Sequence, residues 1–125
     1  MGKKILKIGI ISRDDYKKRT IAIARGQFKP RKDEPKVWFE SVQSMAQVLS
    51  SENQELLRII NEQKPESLKE LEVISGRKRS NLSRTLKTMS RYGIVGLVKQ
   101  ERTVKPIVKA TDFKVEFGLT TSYAS

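Results

Sequence analysis

The chain has 125 residues, of which 37% are hydrophobic, and its 26 basic and 14 acidic side chains give a net charge of +12. This length suits a single compact domain with an appended arm, and no apolar run approaches the roughly 18 residues of a membrane span. The lack of cysteine and histidine excludes disulfides, zinc-finger ligands and Cys or His nucleophiles. The apolar run near the start is interrupted by Lys7 and ends at Arg13, which is unlike a signal peptide, so we expect a cytoplasmic location. Because the acidic residues are scattered and no glycine-rich phosphate loop occurs, we expect a protein that is not an enzyme and uses no cofactor or metal.

The charge is unevenly distributed along the chain. Residues 1–35 carry a net charge of +7, residues 36–75 carry −3, and residues 76–110 hold 10 basic against 1 acidic side chain. Segregation of this kind is typical of a surface that binds a polyanion, since each Lys or Arg at a phosphate releases condensed counterions. Nucleic acid is therefore the expected partner. A membrane is not, because no basic amphipathic helix carries large apolar residues.

The N-terminal part predicts a strand followed by a helix. Residues 5–11 are β-branched and mostly apolar, which favours a short strand. A helix over residues 15–25 follows, with Ser12 or Asp14 as its N-cap. Residues 27–36 contain two prolines and many charges, and this composition predicts an extended linker.

Residues 38–75 contain three amphipathic segments. In the first, apolar residues recur at helical spacing: Val42, Met45, Ala46 and Leu49. A second helix ends near residue 63, where Pro65 enforces a break. Ser67 and Glu70 form a capping box for a third helix, which ends at residues 75–76.

A basic helix predicted over residues 80–92 is the most informative segment for function. Ser80 is a suitable N-cap, and Gly93 suits the left-handed position after a helix. Its apolar face holds Leu82, Leu86, Met89 and Tyr92, and its other face holds Asn81, Ser83, Arg84, Lys87, Thr88 and Arg91. Cations among small hydrogen-bonding residues suit the major groove of DNA, where guanine edges and phosphates accept hydrogen bonds. The alternative is a solvated basic face.

The C-terminal part predicts three strands. Residues 94–99 and 107–110 form a hairpin around a polar turn over residues 100–105. A third strand is half-buried, since apolar Phe113, Val115 and Phe117 alternate with charged residues. We expect the strands near the two termini to pair with each other or across a dimer, because an isolated apolar edge is a liability.

Three motifs carry a resemblance to a known family: SLKEL at residues 67–71, SGRKRSNLSRTLKTM at residues 75–89 and YGIV at residues 92–95. They resemble the MarR-like winged helix-turn-helix regulators. With its YKKRT arm at residues 16–20 and its WFES entry at residues 38–41, the chain more closely resembles small bacterial and archaeal predicted transcriptional regulators, some of which serve as antitoxins. Helices followed by a β-hairpin are also the element order of a winged helix-turn-helix domain, so we expect an α+β, mainly α fold. The resemblance implies a homodimer that binds double-stranded DNA. Glu72 departs from the pattern, since helix-turn-helix motifs usually have a small Ala there, so it loosens the helix packing or lies at its edge.

The resemblance also implies roles for individual residues. The predicted recognition helix would bring Asn81, Arg84 and Thr85 or Thr88 near base edges, with Arg84 as the reader of guanine. Arg102 at the wing tip would enter the minor groove or touch the backbone. The complete candidate DNA-binding set is Arg77, Lys78, Arg79, Ser80, Asn81, Ser83, Arg84, Thr85, Lys87, Thr88, Arg91 and Arg102, of which Arg77, Lys78, Arg79, Lys87 and Arg91 are expected at phosphates.

The expected organisation is an N-terminal strand–helix arm over residues 1–35 for dimerisation or partner docking, a winged helix-turn-helix domain over residues 36–117, and a tail over residues 118–125. The leading functional hypothesis is a sequence-specific transcriptional regulator, acting as a homodimeric repressor. The alternatives are an antitoxin that neutralises a small toxin and autoregulates its operon, and a general RNA- or DNA-binding basic protein. Trp38 and Phe39 are either stacking platforms for single strands or core and dimer contacts.

Overall fold

A computed structural model describes residues 2–119 of the chain. Within these residues the protein is a small α+β domain, about 45% helical, and this class agrees with the sequence-based prediction. The ten elements are β1 (Ile5–Ile10), α1 (Arg13–Ala24), β2 (Val37–Phe39), α2 (Val42–Val48), α3 (Ser51–Gln63), α4 (Leu68–Ser75), α5 (Arg79–Arg91), β3 (Val95–Gln100), β4 (Thr103–Val108) and β5 (Asp112–Glu116). None of the helices in this part of the chain is long and apolar enough to cross a membrane.

Serine hydroxyl groups cap four of the five helices. The hydroxyls of Ser12, Ser41, Ser50 and Ser67 each accept a hydrogen bond from the backbone N–H three residues later, at the start of α1, α2, α3 and α4. These bonds satisfy amides that have no partner inside the helix. The cap of α1 is therefore Ser12, one of the two predicted alternatives.

A three-stranded parallel sheet joins the two ends of the described chain. β1 lies in the middle, between β2 and β5. Ile8 is the register partner of Val37 on one side and of Val115 on the other. The predicted pairing of the terminal strands is thus confirmed in its intrachain form. β2 was not predicted, because the pattern from Trp38 onward is helical and a three-residue strand has little signal of its own.

The predicted boundary at residue 35 runs through this sheet. β1, which precedes the boundary, forms parallel ladders with two strands that follow it. Ile8 is fully buried and Ile10 nearly so, in a cluster with Phe39. Residues 1–35 therefore contribute the central strand of a shared sheet, rather than lying as a separate arm.

An ion pair fastens α1 and the segment after it to the sheet. The guanidinium of Arg19 contacts the Glu34 carboxylate, and both side chains are about nine-tenths buried. The same guanidinium lies 4.9 Å from the ring centroid of Trp38. That indole in turn lies so close to Gly9 that an added Cβ would be 2.3 Å from it. Residues 27–36 form neither helix nor strand, and the contact of Glu34 with Arg19 attaches this segment to α1.

The second core lies between the helices and the antiparallel hairpin β3–β4. Its fully or nearly fully buried side chains are Leu56, Ile60, Leu71, Leu82, Leu86, Met89, Ile94 and Val95. The hairpin turn is shorter than the predicted six residues, because Gln100 is already paired with Thr103. Only Glu101 and Arg102 form the turn, and Glu101 has a positive φ of 28°.

Tyr92 connects the two cores at the end of α5. Its ring stacks on that of buried Phe39, with centroids 4.1 Å apart and planes at 19°. The half-buried Tyr92 side chain packs against both hydrophobic clusters. This contact fixes the C-terminal end of α5 relative to the parallel sheet, and it places Phe39 in the core rather than on an exposed stacking platform.

Candidate nucleic-acid interface

Helix α5 separates an anchored face from a cationic face. Leu82, Leu86 and Met89 have no solvent exposure and pack into the second core. Because a helix advances about 100° per residue, Arg84, Lys87 and Arg91 share a stripe directly opposite these three. All three cations are exposed. The core packing therefore determines which way the basic side chains point.

Arg84 and Lys87 are the least compensated cations of this stripe. Neither has a carboxylate partner among the ion pairs of residues 2–119. Arg91 makes one long contact, 3.5 Å from its Nη2 to the Thr88 hydroxyl, and Thr88 donates that hydroxyl to the Arg84 carbonyl at 3.1 Å. The stripe thus presents three positive charges to solvent. The Thr88 hydroxyl beside it already donates its hydrogen to a backbone carbonyl.

The start of α5 differs from the prediction. The helix begins at Arg79 and Lys78 is its N-cap, without a side-chain hydrogen bond. Ser80, the predicted cap, lies in the first turn and is exposed, because the turn after α4 takes only Gly76 and the two residues that follow it. Backbone N–H groups of the first turn therefore have no side-chain acceptor, and a helix end of this kind favours an anion.

A hydrogen-bond network around Arg77 holds the turn between α4 and α5. The guanidinium donates to Asn81 Oδ1 at 2.7 Å, to Asn53 Oδ1 at 3.2 Å and to Thr85 Oγ1 at 3.3 Å. Asn53 also donates its side-chain amide to the Val48 carbonyl at 3.0 Å. All three acceptors of the guanidinium are neutral, so the positive charge of Arg77 stays uncompensated while the group is fixed in place.

This network joins three predicted DNA-binding residues to one another. Arg77, Asn81 and Thr85 make the hydrogen bonds within the protein, and Arg77 and Thr85 are half-buried. Asn53 on α3 was not predicted, since an asparagine in the first turn of a helix carries no distinguishing signal. Its role depends on the way α3 packs beside the turn.

Acidic residues limit the cationic surface on two sides. Glu72 pairs with Arg79 at 3.5 Å, with both side chains part-exposed, so it lies at the edge of the helix packing rather than within it. Glu52 and Glu55 of α3 line a groove of about 680 Å³ that also contacts Arg84. Arg84 therefore lies at the border of the stripe that is nearest to these carboxylates, and the least compensated positive surface lies around Lys87 and Arg91.

The remaining candidates lie at the periphery. Lys78 is exposed, Ser83 is half-buried, and Arg102 is exposed in the hairpin turn. The register places Arg102 at the end of the hairpin that is far from α5. The five residue steps from Val95 to Gln100, at about 3.3 Å each, separate the two ends of the hairpin by roughly 17 Å. Arg102 can therefore contact only a ligand long enough to reach both it and the stripe.

Comparison with known proteins gave one match. The sequence model of the HVO_A0114 family matches residues 48–115, which run from the end of α2 into β5. No curated protein matches the chain, and no solved structure matches it. The matched part contains α3, α4, α5 and the hairpin, and therefore all twelve candidate residues.

Proposed function

The chain belongs to the HVO_A0114 family, and we propose that it is a sequence-specific regulator of transcription that binds double-stranded DNA as a homodimeric repressor. In this proposal α4 and α5 form a helix-turn-helix of the MarR-like type, and β3 and β4 form its wing. One observation carries the proposal: Arg84, Lys87 and Arg91 project from a helix whose opposite face is fully buried.

The size and spacing of the stripe suit the major groove. This groove of B-DNA is about 12 Å wide and admits one α-helix. A protruding helix can enter it only if one face is free and cationic along its length. Arg84 sits in the middle of α5, and none of the ion pairs within residues 2–119 includes it, so its guanidinium is available for the two acceptors of a guanine.

Charges flanking the helix support contacts to the DNA backbone. The turn before α5 contributes exposed Lys78 and the uncompensated guanidinium of Arg77, beside amides with no side-chain cap. Phosphates bind well at such a site, since the amides and the helix dipole both favour an anion. Arg102 at the wing tip would contact the adjacent groove or backbone.

A titration with two duplexes tests the proposal. Genomic fragments bound by the protein are first selected, and the affinity for a selected duplex is compared with that for a random duplex of equal length. We expect the selected duplex to bind at least about a thousandfold more tightly at physiological salt. Affinity should fall with salt, with a log–log slope of about −0.9 per phosphate contact.

The same titration discriminates between functions. Equal affinity for the two duplexes would contradict sequence-specific regulation. Preference for single strands would support the alternative of a general RNA- or DNA-binding protein, whose contacts depend on stacking and backbone charge rather than on base edges.

A further inference from the structure

Strand β5 leaves one edge of the parallel sheet unpaired within residues 2–119. Its inner side pairs with the central strand β1, β2 forms the opposite edge of the sheet, and the strand order ends at β5. The apolar side chains at this end of the chain are exposed: 46% for Val115, 60% for Phe117 and 93% for Leu119. A free edge with apolar side chains is a template for another strand, and monomeric proteins usually protect such an edge.

The backbone of β5 is arranged for pairing on its outer side. Asp112 donates its N–H to the Lys4 carbonyl at 3.1 Å and is the register partner of Ile5. In a parallel ladder, alternate residues direct both backbone groups toward the same neighbour. Asp112, Lys114 and Glu116 therefore face β1, whereas Phe113, Val115 and Phe117 direct their N–H and C=O groups outward.

We propose that this edge pairs in antiparallel orientation with β5 of a second copy of the chain, centred on Val115. The result is one continuous six-stranded sheet across a twofold axis. In this register Val115 faces Val115 of the second copy, and Phe113 faces Phe117. Lys114 faces Glu116 of the second copy, and the symmetry repeats this pair. Each of these two Lys114–Glu116 pairs places opposite charges across from each other, which stabilises the pairing of neighbouring strands.

Other registers that satisfy the outward backbone groups are less favourable. A pair centred on Lys114 opposes two lysines, and one centred on Glu116 opposes two glutamates. A pair centred on Phe113 matches Asp112 with Lys114, but it places exposed Phe117 opposite Lys109. Only the register centred on Val115 combines two attractive charge pairs with apolar contacts for both Val115 and Phe117.

A neighbouring cavity offers room for the second copy's aromatic ring. A pocket of about 320 Å³ lies between α3 and the sheet, with Leu57, Ala110 and Phe113 in its lining. Because directly opposite side chains in antiparallel strands lie about 5 Å apart, Phe117 of the second copy would reach the mouth of this pocket beside Phe113. Its burial would add apolar area to the strand pairing.

This inference names the interface of the dimer in the proposed function, and it is tested on the full chain without DNA. Mass is measured by sedimentation across a concentration series for the unaltered protein, Lys114→Glu and Glu116→Lys. Each substitution places like charges opposite each other twice, so we expect the dimer dissociation constant to rise roughly ten- to hundredfold. Lys99→Glu, at an exposed position on the hairpin, makes the same charge change as Lys114→Glu and should leave the mass unchanged.

Mixing the two weakened variants gives the decisive result. One variant has glutamate at both positions and the other has lysine at both, so a mixed dimer restores two attractive pairs. We expect dimers in the equimolar mixture and in the Lys114→Glu/Glu116→Lys double variant.

The proposal would be overturned if the unaltered protein were monomeric at a concentration of about 100 µM, or if it formed dimers that neither single substitution weakens. The proposal would also be overturned if Lys114→Glu weakened the dimer and Glu116→Lys did not, because only the register centred on Phe113 pairs Lys114 with an acidic residue and leaves Glu116 without a charged partner. Each of these outcomes would leave DNA binding by α5 to be decided separately by the duplex titration.

Discussion

Arg77 and Arg84 carry the same functional group seven residues apart, but their surroundings give them different tasks. The Arg77 guanidinium is held by three neutral oxygen atoms on α3 and α5. Arg84 is exposed, and none of the ion pairs within residues 2–119 includes it. The fixed guanidinium of Arg77 orients neighbouring groups and adds positive charge to the surface. The unpaired guanidinium of Arg84 can turn its two parallel N–H groups toward the acceptors of a guanine edge.

Arg84→Ala and Lys87→Ala should affect DNA binding differently. If Arg84 makes a bidentate contact with guanine, its loss costs on the order of 1–3 kcal/mol and relaxes the preference at one base pair. Lys87 contacts phosphate in the proposal, so its loss should weaken all duplexes alike and reduce the salt slope by about one. Affinities for a selected duplex, its single-base variants and a random duplex measure both effects. Identical behaviour of the two variants on all duplexes would refute this division of roles.

At the scale of elements, helices and strands depend on different parts of the sequence. The faces of α5 follow from residues three and four positions apart, and its buried residues Leu82, Leu86 and Met89 are the predicted ones. The predicted helix differed from the observed one mainly at its start, where Lys78 rather than Ser80 is the cap. A cap depends on the path of the preceding turn, and in this protein the Arg77 contacts to α3 and α5 hold that turn.

Ile8→Ala should destabilise the protein strongly and Ile5→Ala weakly. Both residues lie on β1, but Ile8 has no solvent exposure and Ile5 is 54% exposed. Truncating a buried isoleucine leaves a cavity and costs about 2–5 kcal/mol, whereas an exposed position usually changes stability by about 0.5 kcal/mol or less. Urea denaturation followed by circular dichroism gives the free energies of unfolding. Equal losses for the two variants would contradict a central position of β1.

At the scale of the whole molecule, the N-terminal segment and the cationic helix are mechanically connected. β1 supports β2, Phe39 of β2 stacks on Tyr92, and Tyr92 ends α5. The segment that precedes residue 36 therefore contributes to the position of the proposed DNA-binding helix without carrying any of the twelve candidate residues. A second copy added at β5 would extend the same sheet and fix two such helices relative to each other.

Deleting residues 1–35 should abolish cooperative folding. The deletion removes the central strand, so β2 and β5 lose their only ladder partner in the described chain, and Phe39 loses Ile8 and Ile10. Deleting residues 1–3 is the matched control, because β1 begins at Ile5. Thermal unfolding and duplex affinity are measured for both truncated proteins. A cooperative transition with unchanged affinity after the longer deletion would show that residues 36–117 form an autonomous domain, as their sequence alone predicts.

The sequence by itself determined the features that depend on neighbouring residues. Apolar spacing of three and four produced the buried face of α5, and with it the exposed positions of Arg84, Lys87 and Arg91. Ser67 is predictable as a cap, and Ser12 as one of two alternatives, because a cap acts on amides three residues away. The unequal distribution of charge is likewise a property of the chain, and it was sufficient to suggest a polyanionic partner.

Tertiary structure alone decided the contacts between distant segments. Ile8 and Val115 lie side by side although 107 residues separate them, and the sequence left open whether the terminal strands pair within or between chains. The short strand β2 and the Asn53–Arg77 contact also form only when other elements are in place. Periodicity reports which face of an element is apolar, but the partner of that face depends on which long-range pairing best offsets the entropy of closing the intervening loops.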